Sequence, residues 1–115
     1  MSFPEDILEK KQVEDLLNEG GSEFLGEMLK LYEEYIPPLI TELNEACKKE
    51  DRPQIKELAH SVKGSSGNIG AKLVQEASGV LEVGFASLSA AELVTQGEKV
   101  AEEFTISLKT LKALL

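Results

Sequence analysis

The sequence predicts an all-α protein, an antiparallel up-down-up-down four-helix bundle with an extra N-terminal helix packed across one end. Apolar residues recur every three or four positions along most of the chain. No segment shows the alternation of a strand, and neither Asn-Gly nor Asp-Gly occurs as a hairpin turn. Four of the predicted helices are long and joined by short loops, as in a bundle. A chain of 115 residues with 42% hydrophobic content has room for one core, so we expect a single domain over 1–115.

The first helix is predicted over residues 4–19. Pro4 suits a first helical turn, and the acidic residues that follow it suit the positive end of a helix. Gly20 and Gly21 are expected to stop this helix.

A long second helix is predicted over residues 23–49, with Ser22 as its N-cap. Pro37 and Pro38 interrupt it, and each removes a backbone donor. A kink or two abutting helices is therefore expected there. The apolar pattern keeps its phase across the prolines, which favours a kink.

Three further helices complete the prediction. The third begins at residues 51–53 and ends near Gly70, which suits a left-handed cap. The fourth covers residues 72–87, and a capping box formed by Ser89 and Glu92 opens the fifth. Glycines within these helices, which predict close helix–helix approach, are Gly79, Gly84 and Gly97. Inward positions are predicted to be Leu73, Ala77, Val80, Leu81, Gly84 and Leu88, then Leu93, Gly97, Val100, Phe104, Leu108 and Leu111.

Composition and charge exclude several classes of function. The chain has 12 basic and 21 acidic residues and a net charge of −9, which disfavours binding to nucleic acid or to an anionic membrane surface. One Cys and one His cannot form an internal disulfide or a His/Cys zinc site. No apolar run approaches the ~18 residues of a membrane span, and no signal peptide is evident. We expect a cytoplasmic monomer.

The single histidine, His60, is predicted to point outward from the third helix. It lies about 140° around the helix from the core stripe. Gly64 and Gly67 share its outward face, and Lys56 and Lys63 project near it. The core stripe of this helix is predicted to be Ile55, Leu58, Ala59, Val62, Ser66 and Ile69.

The surroundings of His60 suggest chemistry. Two glycines on an exposed helical face cost ~1 kcal/mol each, and what they provide is access to the imidazole. Residues 52–75 carry a net charge of +3 within an acidic protein. A neutral imidazole can attack a phosphoryl group, and Lys63 could stabilise the charge of that group. The same features also fit an ordinary surface histidine, and spacing alone leaves both interpretations open.

The stretch AHSVKGSSGNIGA over residues 59–71 resembles the signature of the histidine-containing phosphotransfer (HPt) family. The resemblance implies that His60 accepts a phosphoryl group from a receiver-domain aspartyl phosphate and passes it to another receiver. It implies charge stabilisation by Lys63 and steric access at Gly64, and we expect Gly67 to add to that access. The family often places a polar partner for the ring on the neighbouring helix. Here spacing points to Glu82, which could equally be a solvated surface carboxylate, and Lys56 is a further candidate near the site.

The resemblance also implies partners and excludes cofactors. Response-regulator receiver domains and a hybrid histidine kinase are the expected partners, and the divalent cation belongs to the receiver. We expect no cofactor or metal in this chain. It lacks a glycine-rich ATP loop, so it should be a phosphoryl carrier rather than an ATP-dependent kinase. Ile7 and Leu8 are candidates for the docking surface around His60.

One alternative belongs to another class of function. A non-catalytic helical adaptor could bind a partner protein through the face that carries His60. Such an adaptor would bind equally well without the imidazole. A histidine-dependent hydrolase is a weaker alternative, because the sequence offers no clear second titratable group beside His60.

Overall fold

A computed structural model describes residues 3–115, and within them it contains four helices and no strand. They are α1 (Lys10–Lys49), α2 (Arg52–Asn68), α3 (Lys72–Gly84) and α4 (Ala90–Lys112). The all-helical prediction is therefore confirmed. α1 and α3 each pack against both α2 and α4. None of the helices described combines the length and apolar character needed to cross a bilayer.

A buried polar contact lies among the apolar side chains of the core. The hydroxyl of Tyr32 on α1 and that of Ser66 on α2 are hydrogen-bonded at 2.7 Å. Burial raises the pKa of Tyr32 to about 12, although the bond to Ser66 opposes the rise. The Tyr32 ring also packs on Phe104 of α4, with centroids 5.3 Å apart. This cluster joins three helices behind the face that carries His60.

The chain before α1 differs from the predicted helix over 4–19. Residues 5–8 form turns, and α1 begins only at Lys10. The reason is tertiary, because the backbone N–H of Glu9 donates to the carbonyl of Gly70 at 2.9 Å. A bond to the α2–α3 junction thus replaces the first helical turns, which a local pattern cannot anticipate.

Within α1, the interruption lies at the glycine pair and not at the prolines. Gly21 has φ 72° and ψ −167°, a conformation that strongly favours glycine, so the predicted stop of the first helical stretch is confirmed. Pro37 and Pro38 keep helical dihedral angles, so the helix does not separate into two there. Both prolines are exposed, where water can satisfy the carbonyls that lose a donor.

α3 ends at Gly84, three residues before the predicted end of 72–87. The guanidinium of Arg52 donates to the carbonyls of Phe85 and Leu88, both at 2.8 Å. Carbonyls that follow a helix need such partners, and a charged donor from α2 supplies them here. The start of α2 thereby fixes the end of α3 beside it.

The ends of α2 and α4 follow the sequence signals. The side chain of Asp51 accepts from the backbone N–H of Gln54 at 3.4 Å, and Gly70 has φ 79° just beyond α2. Ser89 and Glu92 form the predicted capping box, with bonds of 3.1 and 2.9 Å. Local side-chain chemistry is sufficient at these termini.

The predicted inward stripe of α3 is partly wrong. Val80 is 46% exposed, because α3 turns a neighbouring stripe to the core. Close approach is confirmed at Gly97, where an added Cβ would lie 2.9 Å from Asn44 Oδ1. At Gly79 it would meet only Lys63 Cδ at 3.9 Å, which is ordinary contact. Buried positions absent from the predicted stripes are Val74, Ser78 and Ser107, whereas Leu58, Leu73, Gly84, Leu88 and Leu108 are half-buried.

Candidate functional site

The buried face of α2 fixes where His60 points. Ile55, Ala59, Val62 and Ser66 are all buried at helical spacing. His60 lies on the opposite side, and its side chain is 75% exposed. The outward orientation predicted from spacing is what the structure has.

His60, Lys63 and Glu82 form a contact group that we call the His60 cluster. The Glu82 carboxylate on α3 contacts Nδ1 of His60 through Oε2 and accepts from Nζ of Lys63 through Oε1 at 2.9 Å. Glu82 is 17% exposed, much less than His60 or Lys63. The sequence left open whether Glu82 contacts the His60 ring or is a solvated surface carboxylate. In the structure it contacts the ring.

The charge state of Glu82 determines what this contact does to the imidazole. The hydrogen bond from Lys63 holds the pKa of the Glu82 carboxyl below its usual range, against the opposing effect of desolvation, and the bond to His60 adds to the lowering. An ionised carboxylate only accepts hydrogen bonds, so Nδ1 of His60 must be the donor. In a neutral ring the lone pair is therefore on Nε2, the nitrogen that Glu82 does not contact.

Gly64 and Gly67, both on the His60 face, differ in what surrounds them. A Cβ added at Gly64 would meet nothing within 4 Å. A Cβ added at Gly67 would lie 2.9 Å from Nε2 of Gln75, the end of a flexible side chain on α3. The fold therefore does not require glycine at position 64, and at position 67 only the flexible end of Gln75 would have to shift, although glycine inside a helix costs ~1 kcal/mol relative to alanine.

The contact between His60 and Glu82 crosses the groove between α2 and α3 and divides it into two hollows. The glycine hollow has a volume of about 390 Å³ and is lined by His60, Lys63, Gly64, Gly67, Asn68 and Gln75. The Phe85 hollow has a volume of about 640 Å³ and is lined by Pro53, Lys56, Glu57, His60, Glu82 and Phe85.

Comparison with known proteins identifies the family. The model described as Hpt domain matches residues 27–114, well over half of the chain. The chain belongs to the Hpt domain family. Hpt domains act in histidine phosphotransfer within phosphorelays, together with receiver domains and histidine kinases, and this is the role of the present chain.

A solved Hpt domain has the same fold. The histidine-containing phosphotransfer domain of ArcB from Escherichia coli matches with a TM-score of 0.85 and 23% sequence identity. The match covers 98% of this chain and 96% of that one. A search of curated proteins found no match.

Lys56, expected near His60, lines the same hollow as His60, and its ammonium lies over an aromatic ring of this Hpt domain. Its Nζ is 5.2 Å from the ring centroid of Phe85, the geometry of a cation–π contact. Lys56 therefore shares the Phe85 hollow with His60, and its ammonium contacts the Phe85 ring. Lys63 is the ammonium group of the His60 cluster.

Sequence reasoning missed two residues beside His60. Gln75 was not singled out, because only its packing against Gly67 brings it to the site. Phe85 was not singled out either, although it follows Glu82 by three residues and so lies on the same side of the chain. That spacing was the available signal for Phe85.

An apolar patch lies on the other side of α2, towards α1. Leu31 and Tyr35 are 65% and 54% exposed, and they line a hollow of about 220 Å³ together with Ser65 and Asn68. Of the docking candidates near the N-terminus, Leu8 is only 1% exposed, so its expected role is wrong. It packs into the core, whereas Ile7 is half-buried.

Proposed function

We propose that His60 is the phosphoryl acceptor of this Hpt domain and that Nε2 is the reacting atom. One observation carries the proposal: Glu82 contacts Nδ1 of the only histidine in the chain, and the side chain of that histidine is exposed. A fixed Nδ1–H tautomer supports attack through the other nitrogen.

The transfer step balances without an acid or base supplied from elsewhere. The Nε2 lone pair attacks the phosphorus of a receiver aspartyl phosphate, so a P–N bond forms while the bond between phosphorus and the aspartate oxygen breaks. The receiver recovers its carboxylate, and the ring of His60 keeps its Nδ1 proton and becomes cationic. Glu82 accepts the hydrogen bond from that ring and stabilises its charge. Transfer to another receiver reverses these events.

Lys63 and the two glycines have distinct parts in this proposal. Lys63 lines the glycine hollow beside His60, so its ammonium can stabilise the equatorial phosphoryl oxygens. Gly64 has no side chain, and a Cβ added there would meet nothing within 4 Å. This position therefore leaves open the space through which the receiver aspartate approaches. Gly67 deepens the same hollow, with Gln75 against it. The phosphoryl group therefore enters from the glycine hollow.

The receiver docks over His60 and over the apolar patch at Leu31 and Tyr35. Exposed aromatic and aliphatic side chains are typical of the anchors of protein interfaces. Ile7 remains a candidate at the edge of this surface.

We also propose a helix arrangement, a location and partners for this domain. The four helices form an antiparallel up-down-up-down bundle, and the stretch before Gly21 lies across one end, which its bond to Gly70 supports. The single domain spans 1–115 and acts as a monomer in the cytoplasm, where a hybrid histidine kinase and receivers are its partners. It holds no cofactor or metal, and the divalent cation belongs to the receiver; Glu82 is the one carboxylate of the His60 cluster, too few ligands for a metal site.

The test uses a receiver domain loaded from acetyl phosphate. Wild-type chain should acquire an acid-labile, alkali-stable phosphoryl group, and a His60→Gln variant of equal thermal stability should acquire none. Acid-stable label, or label on the variant, would contradict the proposal. The adaptor alternative predicts receiver binding by both proteins and transfer to neither.

A further inference from the structure

The Phe85 hollow is larger than the glycine hollow, and the phosphoryl chemistry does not use it. It lies on the N-terminal side of His60, where Pro53 is seven residues, or about 10 Å, back along α2. Its aromatic wall is anchored, because Phe85 is half-buried against the core and its carbonyl accepts from Arg52 at 2.8 Å. The hollow therefore presents a fixed aromatic surface beside the reacting histidine.

The charges around the Phe85 hollow nearly cancel. Lys56 and Glu57 are opposite charges at its rim, and the ammonium of Lys56 already lies over the Phe85 ring. Glu82, its other carboxylate, is paired with Lys63. Since the remaining walls are the Phe85 ring, the Pro53 ring, the Lys56 stem and the edge of the His60 imidazole, an uncharged apolar group suits this hollow better than a carboxylate.

The hollow is also continuous with the surface that a receiver must cover. His60 lines both hollows, and transfer requires the receiver aspartate to reach its Nε2. A specific interface covers about 800 Å² on each partner, so a patch centred on His60 extends about 16 Å from it. The Phe85 hollow falls inside that radius.

We propose that the Phe85 hollow is a specificity-determining subsite of receiver docking, which takes one uncharged apolar side chain that the receiver presents next to its phosphorylated aspartate. This proposal rests on the proposed function. The two halves of the groove then recognise different chemistry: the glycine hollow takes the charged phosphoryl group, and the Phe85 hollow takes the apolar side chain. Receivers that carry a charged residue at that place are poor partners.

The experiment measures phosphotransfer to two variants that alter the hollow differently. Phe85→Ala removes the aromatic wall. Pro53→Glu places a negative charge on the rim at the start of α2, where an acidic residue suits the helix N-terminus and the fold is retained. Gln54→Glu is the matched control, because it adds the same charge one residue away and does not line the hollow.

Rates are measured from a phosphorylated receiver and from phosphoramidate, which phosphorylates histidine without docking. Loss of an interface anchor costs more than about fivefold in affinity. Phe85→Ala and Pro53→Glu should therefore raise KM for the receiver at least fivefold and change kcat less than twofold. The ratio of the receiver rate to the phosphoramidate rate should fall by a similar factor, and Gln54→Glu should match the wild type.

The possible outcomes separate the two proposals. If the receiver labels wild-type His60 and both variants keep the wild-type KM, the Phe85 hollow has no part in docking. Equal effects of Pro53→Glu and Gln54→Glu, or a fall confined to kcat, would also overturn its role. If no receiver labels His60 in the wild type, the proposed function itself fails.

Discussion

Replacement of Gly64 should make the protein more stable and a poorer phosphoryl acceptor. An added Cβ at this position meets nothing within 4 Å, so the fold does not require glycine there. Relative to glycine, alanine inside an exposed helix contributes about 0.8–1 kcal/mol. For a domain of this size, that increment in the free energy of unfolding raises Tm by about 4 °C. Gly64→Gln should raise the free energy of unfolding by about half as much as Gly64→Ala does.

The effect on transfer has the opposite sign. A glutamine at position 64 extends into the glycine hollow, the side from which the receiver aspartate approaches His60. We expect Gly64→Gln to slow transfer from a phosphorylated receiver at least tenfold, about 1.4 kcal/mol in the activation free energy. Gly64→Ala should have a smaller effect in the same direction.

The assay combines urea unfolding with single-turnover transfer on the same preparations. Gly26→Ala is the matched control, because its Cβ would meet only the Leu115 side chain, at 3.8 Å or more, away from the His60 cluster. It should gain similar stability and keep the wild-type rate. A stabilised Gly64→Gln that still accepts phosphoryl at the wild-type rate would refute the steric argument, and so would a destabilised one.

Three further predictions test the supporting interactions. Lys63→Ala should slow transfer about tenfold to a hundredfold in a single-turnover assay without abolishing it, because one charged donor is lost while Nε2 of His60 remains. Complete loss of transfer would show that Lys63 has a role beyond charge stabilisation. The lowered pKa of Glu82 means that its ion pair stabilises the fold above the unfolded value of about 4.3 and loses this effect as pH falls through the lower folded value. In urea titrations the stability gap between wild type and Glu82→Gln should thus be present at pH 6 and narrow below about pH 4.5, whereas a gap that widens below about pH 4.5 would contradict the assignment. Tyr32→Phe should cost about 1–3 kcal/mol by leaving Ser66 buried without its partner, and the double variant with Ser66→Ala should cost less than the sum of the two single changes.

Local sequence signals were sufficient for the all-helical class, for the termini of α2 and the start of α4, and for the direction of His60. Helical spacing placed His60 opposite the α2 core stripe, and the capping box at Ser89 opened α4 where predicted. These features depend on residues within one or two turns of each other, so the sequence of one segment contains the information needed to predict them.

The missed features depend on contacts between residues distant in sequence. The start of α1 at Lys10 follows from the Glu9–Gly70 bond, and the end of α3 follows from Arg52. The family resemblance suggested a polar partner on the next helix and spacing then pointed to Glu82, because the contact with His60 joins two residues that are 22 positions apart on different helices. Helical periodicity predicts which face a residue occupies but not which residue of the next helix it meets.

The most direct test of the central claim is nitrogen-edited NMR of the imidazole of phosphorylated wild-type chain. Glu82 contacts Nδ1, so ³¹P coupling should appear on Nε2 of His60 and Nδ1 should stay protonated. A phosphoryl group on Nδ1, or on any residue other than His60, would contradict the account.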